Sequence, residues 1–237
     1  MAKKAAALSA GMDHSERLAG SIFFVVYLLV MPLLMDRLFA LVSVLLGAQI
    51  DGGRQNALYY YALTALTLLI FRRYLAETTR RFFGGVSRGG VSVLLGLLIF
   101  YGANELFYRV FRLFFGSRVN LNDVTIAARL WDAPRPTVLI AVVLAPFVEE
   151  VLFRGLVFGC AREKSRVLAY ALSSALFALS AVWSFALSDR SVAGLALLAQ
   201  YLVPGLVFAW AYDYSGTLWT PLLLHITVNA LALWVAP

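Results

Sequence analysis

The stretch that decides the fold, at residues 138–160, reads VLIAVVLAPFVEEVLFRGLVFGC. It is long enough for one membrane-spanning helix, which needs about 20 predominantly apolar residues. Charged residues interrupt it at Glu149, Glu150 and Arg154. An ionisable side chain inside a membrane span costs roughly 2.5–3.5 kcal/mol on an insertion scale and usually serves a function. The stretch therefore predicts a transmembrane helix that carries chemistry.

The composition of the whole chain is that of a membrane protein. Of its 237 residues, 62% are hydrophobic and 14% are charged, whereas soluble domains are nearer half apolar and a quarter charged. The mean hydropathy is +0.82. The net charge of +7 comes from basic residues between apolar runs, which is typical of topology signals and attraction to anionic lipid, not of nucleic-acid binding. With one cysteine and two histidines, the chain can form neither an intrachain disulfide nor an HExxH-type zinc cage.

The apolar runs predict an all-α fold, a polytopic transmembrane helix bundle of about seven spans. The runs lie near residues 18–35, 57–71, 91–108, 138–160, 167–187, 192–212 and 218–235. The status of residues 36–50 stays open, because the apolar stretch there either extends the first helix or lies along the interface. The predicted organisation is a cytoplasmic tail (1–17), N-terminal transmembrane helices with an outer loop (18–137) and a transmembrane core (138–237).

Basic loops set the predicted orientation. Arginines are concentrated at residues 72–88 and again at 162–166. Two spans separate these loops, so both lie on one side, which the positive-inside rule assigns to the cytoplasm together with the N-terminus. The loop at 109–136 is also rich in arginine although parity places it outside. Within it, Asn122-Asp123 predicts the N-cap of a short surface helix that the prolines at 134 and 136 would end.

The charged residues of the fourth span divide into a pair and a single carboxylate. Glu150 and Arg154 are four residues apart, so they share a helix face and are expected to pair. Glu149 points about 100° away and has no partner within its own helix. Pro146, one turn earlier, leaves a backbone carbonyl without its helical donor. A structural ion pair explains Glu150 and Arg154 but not Glu149, which we interpret as a general base.

The last span carries two polar residues one helical turn apart, His225 and Asn229. A lone polar residue in a span more often joins helices than performs chemistry. Together, however, they place an acid–base group beside a hydrogen-bond donor, the combination that stabilises an oxyanion in a hydrolase. At about 1.5 Å per residue, the depths of Glu149 and His225 differ by about one helical turn. The two residues are therefore predicted to meet in one cavity.

The chain carries the motif Glu149-Glu150-x-x-x-Arg154 and, in its last span, the motif His225-x-x-x-Asn229. In these motifs it resembles the CAAX-protease and bacteriocin-processing (CPBP, or Abi) family of intramembrane proteases. The resemblance covers about residues 138–233 and makes 138–237 the CPBP-like core. It implies an intramembrane endopeptidase that hydrolyses a peptide bond of a membrane-associated substrate, in CAAX-type or leader-type processing, with a water activated by Glu149. By this resemblance the catalytic residues are Glu149, His225 and Asn229. The residues that support them are Glu150, Arg154 and Phe177.

One motif of that family is incomplete in this chain. The family carries FxxxH in the intervening helix, and Phe177 fits this motif, but Ala181 stands at the histidine position. By resemblance that histidine helps Glu149 hold the attacking water, which alanine cannot do. Activity therefore depends on Glu149 alone, or the protein is an inactive member kept for binding, or residue 181 is an alteration of the natural sequence.

Cofactor and partners follow from the same residues. A metal, if bound, would be held by Glu149, Glu150, His225 and Asn229. That set has a single imidazole, which favours a metal-independent mechanism over a divalent metal such as Zn, although the family is often labelled metalloprotease. The expected partners are a membrane-associated peptide or protein substrate and the lipid bilayer, without nucleic acid. The expected location is a prokaryotic plasma membrane, and the oligomeric state stays open.

Two other functions compete with proteolysis. A catalytically inactive membrane scaffold or immunity-type binding protein would use the same cavity to hold a peptide or partner, and Ala181 favours this alternative. A small ion-coupled transporter would use Glu149 as a proton relay, but it should show inverted repeats, and none is apparent in the sequence.

Overall fold

The computed structural model describes residues 12–115, 134–189 and 192–235. Within these ranges the chain forms helices and no strand, which confirms the all-α class. The helices are α1 (His14–Val30), α2 (Met31–Leu46), α3 (Gly52–Ile70), α4 (Arg72–Phe83), α5 (Val86–Phe115), α6 (Pro134–Lys164), α7 (Arg166–Asp189), α8 (Val192–Ser215) and α9 (Trp219–Val235). The predicted N-cap at Asn122-Asp123 lies outside the described residues.

Within the described part of the chain, two helices are long and apolar enough to cross a membrane. They are α6 and residues Gly89–Leu113 of α5. The 31 residues of α6, at 1.5 Å each, make it about 46 Å long. A third span results if α1 and Leu33–Leu45 count as one broken span. The chain is thus a helical membrane protein. The predicted run at 18–35 extends across the bend between α1 and α2, whereas each of the other predicted runs coincides with a helix. The finer prediction of about seven spans is not confirmed.

Residues 36–46 belong to a separate helix, because α2 departs from α1 by a bend of 82°. It does not extend the first helix in a straight line. Gly47 ends it with φ of 60°, a left-handed conformation that glycine adopts without steric cost. The prolines at 134 and 136 lie in the first turn of α6. In that position a missing N–H breaks no intrahelical hydrogen bond.

Helix α4 occupies a region that the sequence suggested only as an arginine-rich loop. It buries Tyr74 and Thr78 and exposes three of its four arginines along the opposite face. The Glu16 carboxylate caps its start, accepting from the backbone N–H groups of Arg73 at 2.9 Å and Tyr74 at 3.2 Å. Negative charge at a helix N-terminus is stabilising. This contact connects α4 to the beginning of α1.

Helix α1 begins at His14, inside the predicted cytoplasmic tail. Asp13 is its N-cap and forms a capping box with Glu16. The backbone N–H of Glu16 and the hydroxyl of Ser15 lower the pKa of Asp13 to about 2 by hydrogen bonding to its carboxylate. Arg73 of α4 also pairs with this carboxylate. The first turn of α1 is therefore a structured part of the bundle.

The core helices α7 and α8 approach closely at one glycine. A Cβ atom on Gly205 would lie 3.1 Å from the Cα and Cβ atoms of Ser174 and 3.2 Å from its carbonyl oxygen. Because those atoms are mostly backbone, they cannot move aside without shifting α7. Gly205 therefore determines the separation of the two helices.

We expect Gly205→Ala to lower the free energy of unfolding by about 1–3 kcal/mol, the usual cost of overpacking. Gly102→Ala is the matched control, because no atom outside its own helix lies within 4 Å of that Cβ position. Thermal unfolding of both variants in one detergent measures the difference. Equal midpoints would show that α7 and α8 do not meet at this distance.

Candidate active site

Helix α6 brings the charged residues of the fourth span into the protein interior. Glu150 and Arg154 have fully buried side chains, and Arg154 Nε lies 3.2 Å from Glu150 Oε2. The predicted pairing is therefore confirmed. The two residues flank the start of a π-helical segment, Val151–Phe158, and π-helical turns are frequent at functional sites.

Glu149 occupies a different environment from its neighbour. Its side chain is 22% exposed, whereas that of Glu150 is fully buried. Glu149 Oε2 lies 3.9 Å from Nε2 of His225, too far for a direct hydrogen bond. The prediction that Glu149 and His225 meet is confirmed. Because its side chain is partly exposed, a water molecule or substrate can reach it.

The imidazole of His225 is held between the two glutamates. Its Nδ1 lies 2.9 Å from Oε1 of Glu150, while Nε2 faces Glu149. When Glu150 is ionised, Nδ1 donates this hydrogen bond, because a carboxylate only accepts. Such a second partner fixes the tautomer and the ring orientation of a functional histidine. Glu150 therefore directs Nε2 towards Glu149.

Two phenylalanines enclose this histidine and the arginine. Phe208 stacks on the His225 ring at a centroid distance of 4.4 Å, and Phe177 meets it edge-on at 6.0 Å. The guanidinium of Arg154 lies 4.5 Å from the Phe177 centroid and 5.3 Å from that of Phe208. Cation–π attraction supports a charge in such surroundings. Sequence reasoning missed Phe208, because an aromatic residue in an apolar helix carries no signal distinguishing this contact from ordinary packing.

Arg154 is further held by the neighbouring helix α8. Its Nη2 donates to the backbone carbonyl of Gly205 at 3.2 Å. The close approach that Gly205 permits thus also supplies an acceptor for the buried guanidinium. Among the described residues, Nε and Nη1 of Arg154 have no hydrogen-bond partner, so its contact with Glu150 is an ion pair without a hydrogen bond. Most of the compensation of its charge therefore comes from Glu150 and the two aromatic rings.

Asn229 connects α9 to the irregular part of α6. Its Nδ2 donates to the carbonyl of Ala141 at 2.8 Å. Residues Ile140–Leu144 are π-helical, and the Ala145 N–H donates to the carbonyl of Ile140. The next donor in that register would be Pro146, which has no N–H. Asn229 therefore bonds the carbonyl that Pro146 leaves without a donor, and one N–H of its amide remains for another acceptor.

Some donor atoms of the candidate metal ligands are engaged in other contacts. The facing atoms of Glu150 and His225 pair with each other, and Asn229 is bound to Ala141. Glu149, Nε2 of His225 and Oδ1 of Asn229 are the donors that these contacts leave, because Asn229 bonds Ala141 through Nδ2. A catalytic zinc is typically held by three ligands drawn from His, Cys and carboxylates, together with a water. Within the described residues, no group of three or more His, Cys, Asp or Glu is placed to hold a metal ion.

The incomplete middle motif lies on α7. Phe177 occupies its place against His225 and Arg154. Ala181 follows one helical turn later and is partly exposed. It contributes no hydrogen-bonding side chain, so any help for Glu149 must come from elsewhere.

Two comparisons with known proteins match this chain. Residues 131–231 match the family model described as type II CAAX prenyl endopeptidase Rce1-like. The chain is 25% identical over 185 residues to the protein named "Putative membrane peptidase YdiL" of Bacillus subtilis (strain 168), an alignment that covers 75% of this chain and 69% of that protein. No solved structure matches the chain. The matched region contains both glutamates and His225, and these two matches support membership of the CPBP family of membrane proteins.

Proposed function

We propose that this protein is an intramembrane endopeptidase that hydrolyses a peptide bond of a membrane-associated substrate with a water activated by Glu149. The observation that carries the proposal is the pairing of one accessible carboxylate, Glu149, with an imidazole whose far side is fixed by the buried Glu150. A carboxylate without a helix partner inside a membrane protein is expensive. Glu149 faces an imidazole whose orientation is fixed, and this position suits it to act as a general base.

The attacking water is placed between Glu149 and His225. The 3.9 Å between Glu149 Oε2 and His225 Nε2 allows one water beside them to lie about 2.8 Å from each atom. Glu149 takes a proton from this water while the oxygen of the water bonds to the carbonyl carbon of the substrate. The tetrahedral intermediate then collapses, the C–N bond breaks, and Glu149 returns the proton to the departing amine. The carboxylate is thereby regenerated, and no acyl-enzyme is formed.

The developing oxyanion is stabilised from α9. His225 can donate through Nε2 only when its ring carries both protons, since Nδ1–H is directed at Glu150. In that state the cluster has no net charge, because two carboxylates (Glu149 and Glu150) are balanced by two cations (Arg154 and His225). Buried charges are tolerated when they are compensated in this way. The N–H of Asn229 that Ala141 does not use is the second donor. Glu150 and Arg154 act as positioning residues for the imidazole.

The proposed mechanism uses no metal ion, because Glu149 takes the proton from the water and the candidate metal ligands include a single imidazole. We therefore expect activity to survive treatment with a chelator such as EDTA. Activity of the reconstituted protein in liposomes, measured before and after chelation and after zinc addition, checks this expectation. Loss of activity on chelation and its recovery with zinc alone would contradict it.

We further propose a multi-pass arrangement of about seven spans with a cytoplasmic N-terminus in a prokaryotic plasma membrane. Helix α4 and the start of α7 present arginines on what is then the cytoplasmic side. Single cysteines at exposed Arg80 and Arg109, each introduced into a variant lacking Cys160, test this orientation. Labelling by a membrane-impermeant maleimide on opposite sides of the membrane is the expected result.

An inactive binding protein is the second candidate, because Ala181 removes a residue that the family uses. Digestion in liposomes distinguishes the two functions. Purified protein is mixed with membrane proteins extracted from a strain lacking its gene, and new peptide termini are identified by mass spectrometry. The protease produces a limited set of new termini, whereas a scaffold co-purifies with intact partners and produces none.

A further inference from the structure

Helix α4 presents an arginine-rich face that the candidate active site does not use. The helix contains four arginines and one glutamate, Glu77. Arg73 pairs with a carboxylate of α1, and Arg81 Nε lies 3.1 Å from Glu77 Oε1. The side chain of Arg80 is 81% exposed and reaches Glu77 only at 4.0 Å, while no carboxylate of the described residues pairs with Arg72. The face therefore keeps a surplus of positive charge at Arg72 and Arg80.

A large apolar side chain lies on the same face of α4. Phe83 is 74% exposed. It shares one side of the helix with the exposed residues Arg72, Ala76 and Arg80, because the four recur at helical spacing. Arginines combined with an exposed aromatic residue are typical of helices that lie in the membrane–water interface. The composition of this face therefore indicates an interfacial helix.

The connections of α4 place it near the membrane surface. The apolar helix α3 ends at Ile70, directly before α4 begins. The membrane-length segment Gly89–Leu113 of α5 begins a few residues after α4 ends at Phe83. Such short connections cannot carry either end of α4 far from the apolar helices, since one residue covers at most about 3.6 Å. The outer face of α4 therefore lies at the level of lipid headgroups.

The inner face of α4 is bonded to the rest of the bundle. Thr78 Oγ1 accepts from the backbone N–H of Leu218 at 2.8 Å, and Trp219 Nε1 donates to Thr79 Oγ1 at 2.8 Å. Glu16 caps the N-terminus of the same helix. Leu218 directly precedes α9, the helix that carries the candidate catalytic imidazole. Because α4 is held on this side, binding on its outer face requires little ordering of the backbone.

We propose that Arg72, Arg80 and Phe83 form a docking surface for anionic phospholipids of the surrounding bilayer. The guanidinium groups bind the headgroup phosphates, for which their planar donor geometry is suited, and Phe83 packs against the adjoining acyl chains. Anionic lipids are favoured over zwitterionic ones, because only a net negative charge balances the surplus on α4. A bound lipid then contacts the helix against which the start of α9 packs. The inference holds for a protease and for an inactive binding protein alike.

Replacement of the two arginines tests this surface. We expect Arg72→Gln and Arg80→Gln each to lower the affinity for phosphatidylglycerol about fivefold, which corresponds to the attraction of one arginine to an anionic surface. Phosphatidylcholine with the same acyl chains should bind the wild type more weakly, and neither variant should change its affinity. Native mass spectrometry of the full-length chain in detergent, titrated with each lipid, measures these affinities. The unfolding midpoints should stay equal, because both side chains are exposed.

The double variant Arg54→Gln/Arg109→Gln is the matched control for Arg72→Gln/Arg80→Gln. It removes the same charge from exposed arginines that already pair with a neighbouring carboxylate at 3.0 and 2.6 Å, and it should bind phosphatidylglycerol like the wild type. Arg72→Lys/Arg80→Lys should keep most of the affinity, since the charge remains.

Three results of the titration would overturn the docking surface. They are equal affinity of the wild type for the two lipids, unchanged affinity in Arg72→Gln/Arg80→Gln, and an equal loss in the control variant. Displacement of phosphatidylglycerol by inorganic phosphate at the same concentration would also overturn it, because it would indicate an anion site instead of a surface for lipid.

Discussion

Replacement of Glu149 by glutamine should reduce proteolysis at least about a hundredfold, because a general base contributes typically 10²–10⁴-fold to turnover. The amide keeps the size of the side chain but cannot accept the proton of the attacking water. The fold should persist, since Glu149 is partly exposed and lies 3.9 Å from its nearest ionic neighbour, His225. The loss should therefore appear in kcat, without a comparable fall in the unfolding midpoint.

The matched control for this variant is Glu105→Gln. Glu105 forms an exposed pair with Arg109 on α5, so its replacement removes the same charge outside the site. Both variants are purified, reconstituted in liposomes and assayed on one substrate identified with the wild type. Full activity of Glu149→Gln would refute the role of Glu149 and would favour the inactive binding protein.

Replacement of Arg154 by methionine should destabilise the protein by about 3–5 kcal/mol, the cost of leaving one member of a buried pair unbalanced. Glu150 would then remain fully buried without a cation on its own helix. Arg109→Met is the matched control, because it breaks an i,i+4 pair that is exposed to solvent. Such exposed pairs contribute about 0–1 kcal/mol. Thermal unfolding in a single detergent compares the two variants.

The double variant Glu150→Leu/Arg154→Met separates stability from catalysis. Replacing both members of a buried pair by apolar residues often restores stability, so its unfolding midpoint should exceed that of Arg154→Met. Its kcat should nevertheless remain low, because Nδ1 of His225 loses the carboxylate that orients it. Full activity in a stable double variant would show that the pair has no role in positioning the imidazole.

The sequence alone predicts those contacts of the site that depend on the geometry of a single helix. Spacing along α6 alone predicts that Glu150 pairs with Arg154 and that Glu149 points elsewhere. Depth along two apolar helices predicts that Glu149 and His225 meet, because the rise per residue is fixed. Hydropathy likewise predicts helices at each apolar run, although the number that cross the membrane depends on how the helices tilt and bend.

The remaining parts depend on how different helices pack, which one sequence does not specify. Asn229 bonds to Ala141 only because α9 lies beside the π-helical turn of α6. The stacking of Phe208 on His225 depends in the same way on the position of α8. Helix α4 was not predicted, because its arginine-rich composition is typical of a loop between spans. Its N-terminus is stabilised by the carboxylate of Glu16, which lies in a distant part of the chain.

Comparison of all protein termini in cells tests the central claim most directly. Wild type and Glu149→Gln are produced at matched levels in a strain lacking the gene, and new termini are identified by mass spectrometry. The proposed mechanism predicts a set of termini in membrane-associated proteins that appears with wild type and is absent with the variant. Identical termini in the two strains, with both proteins folded in the membrane, would contradict it.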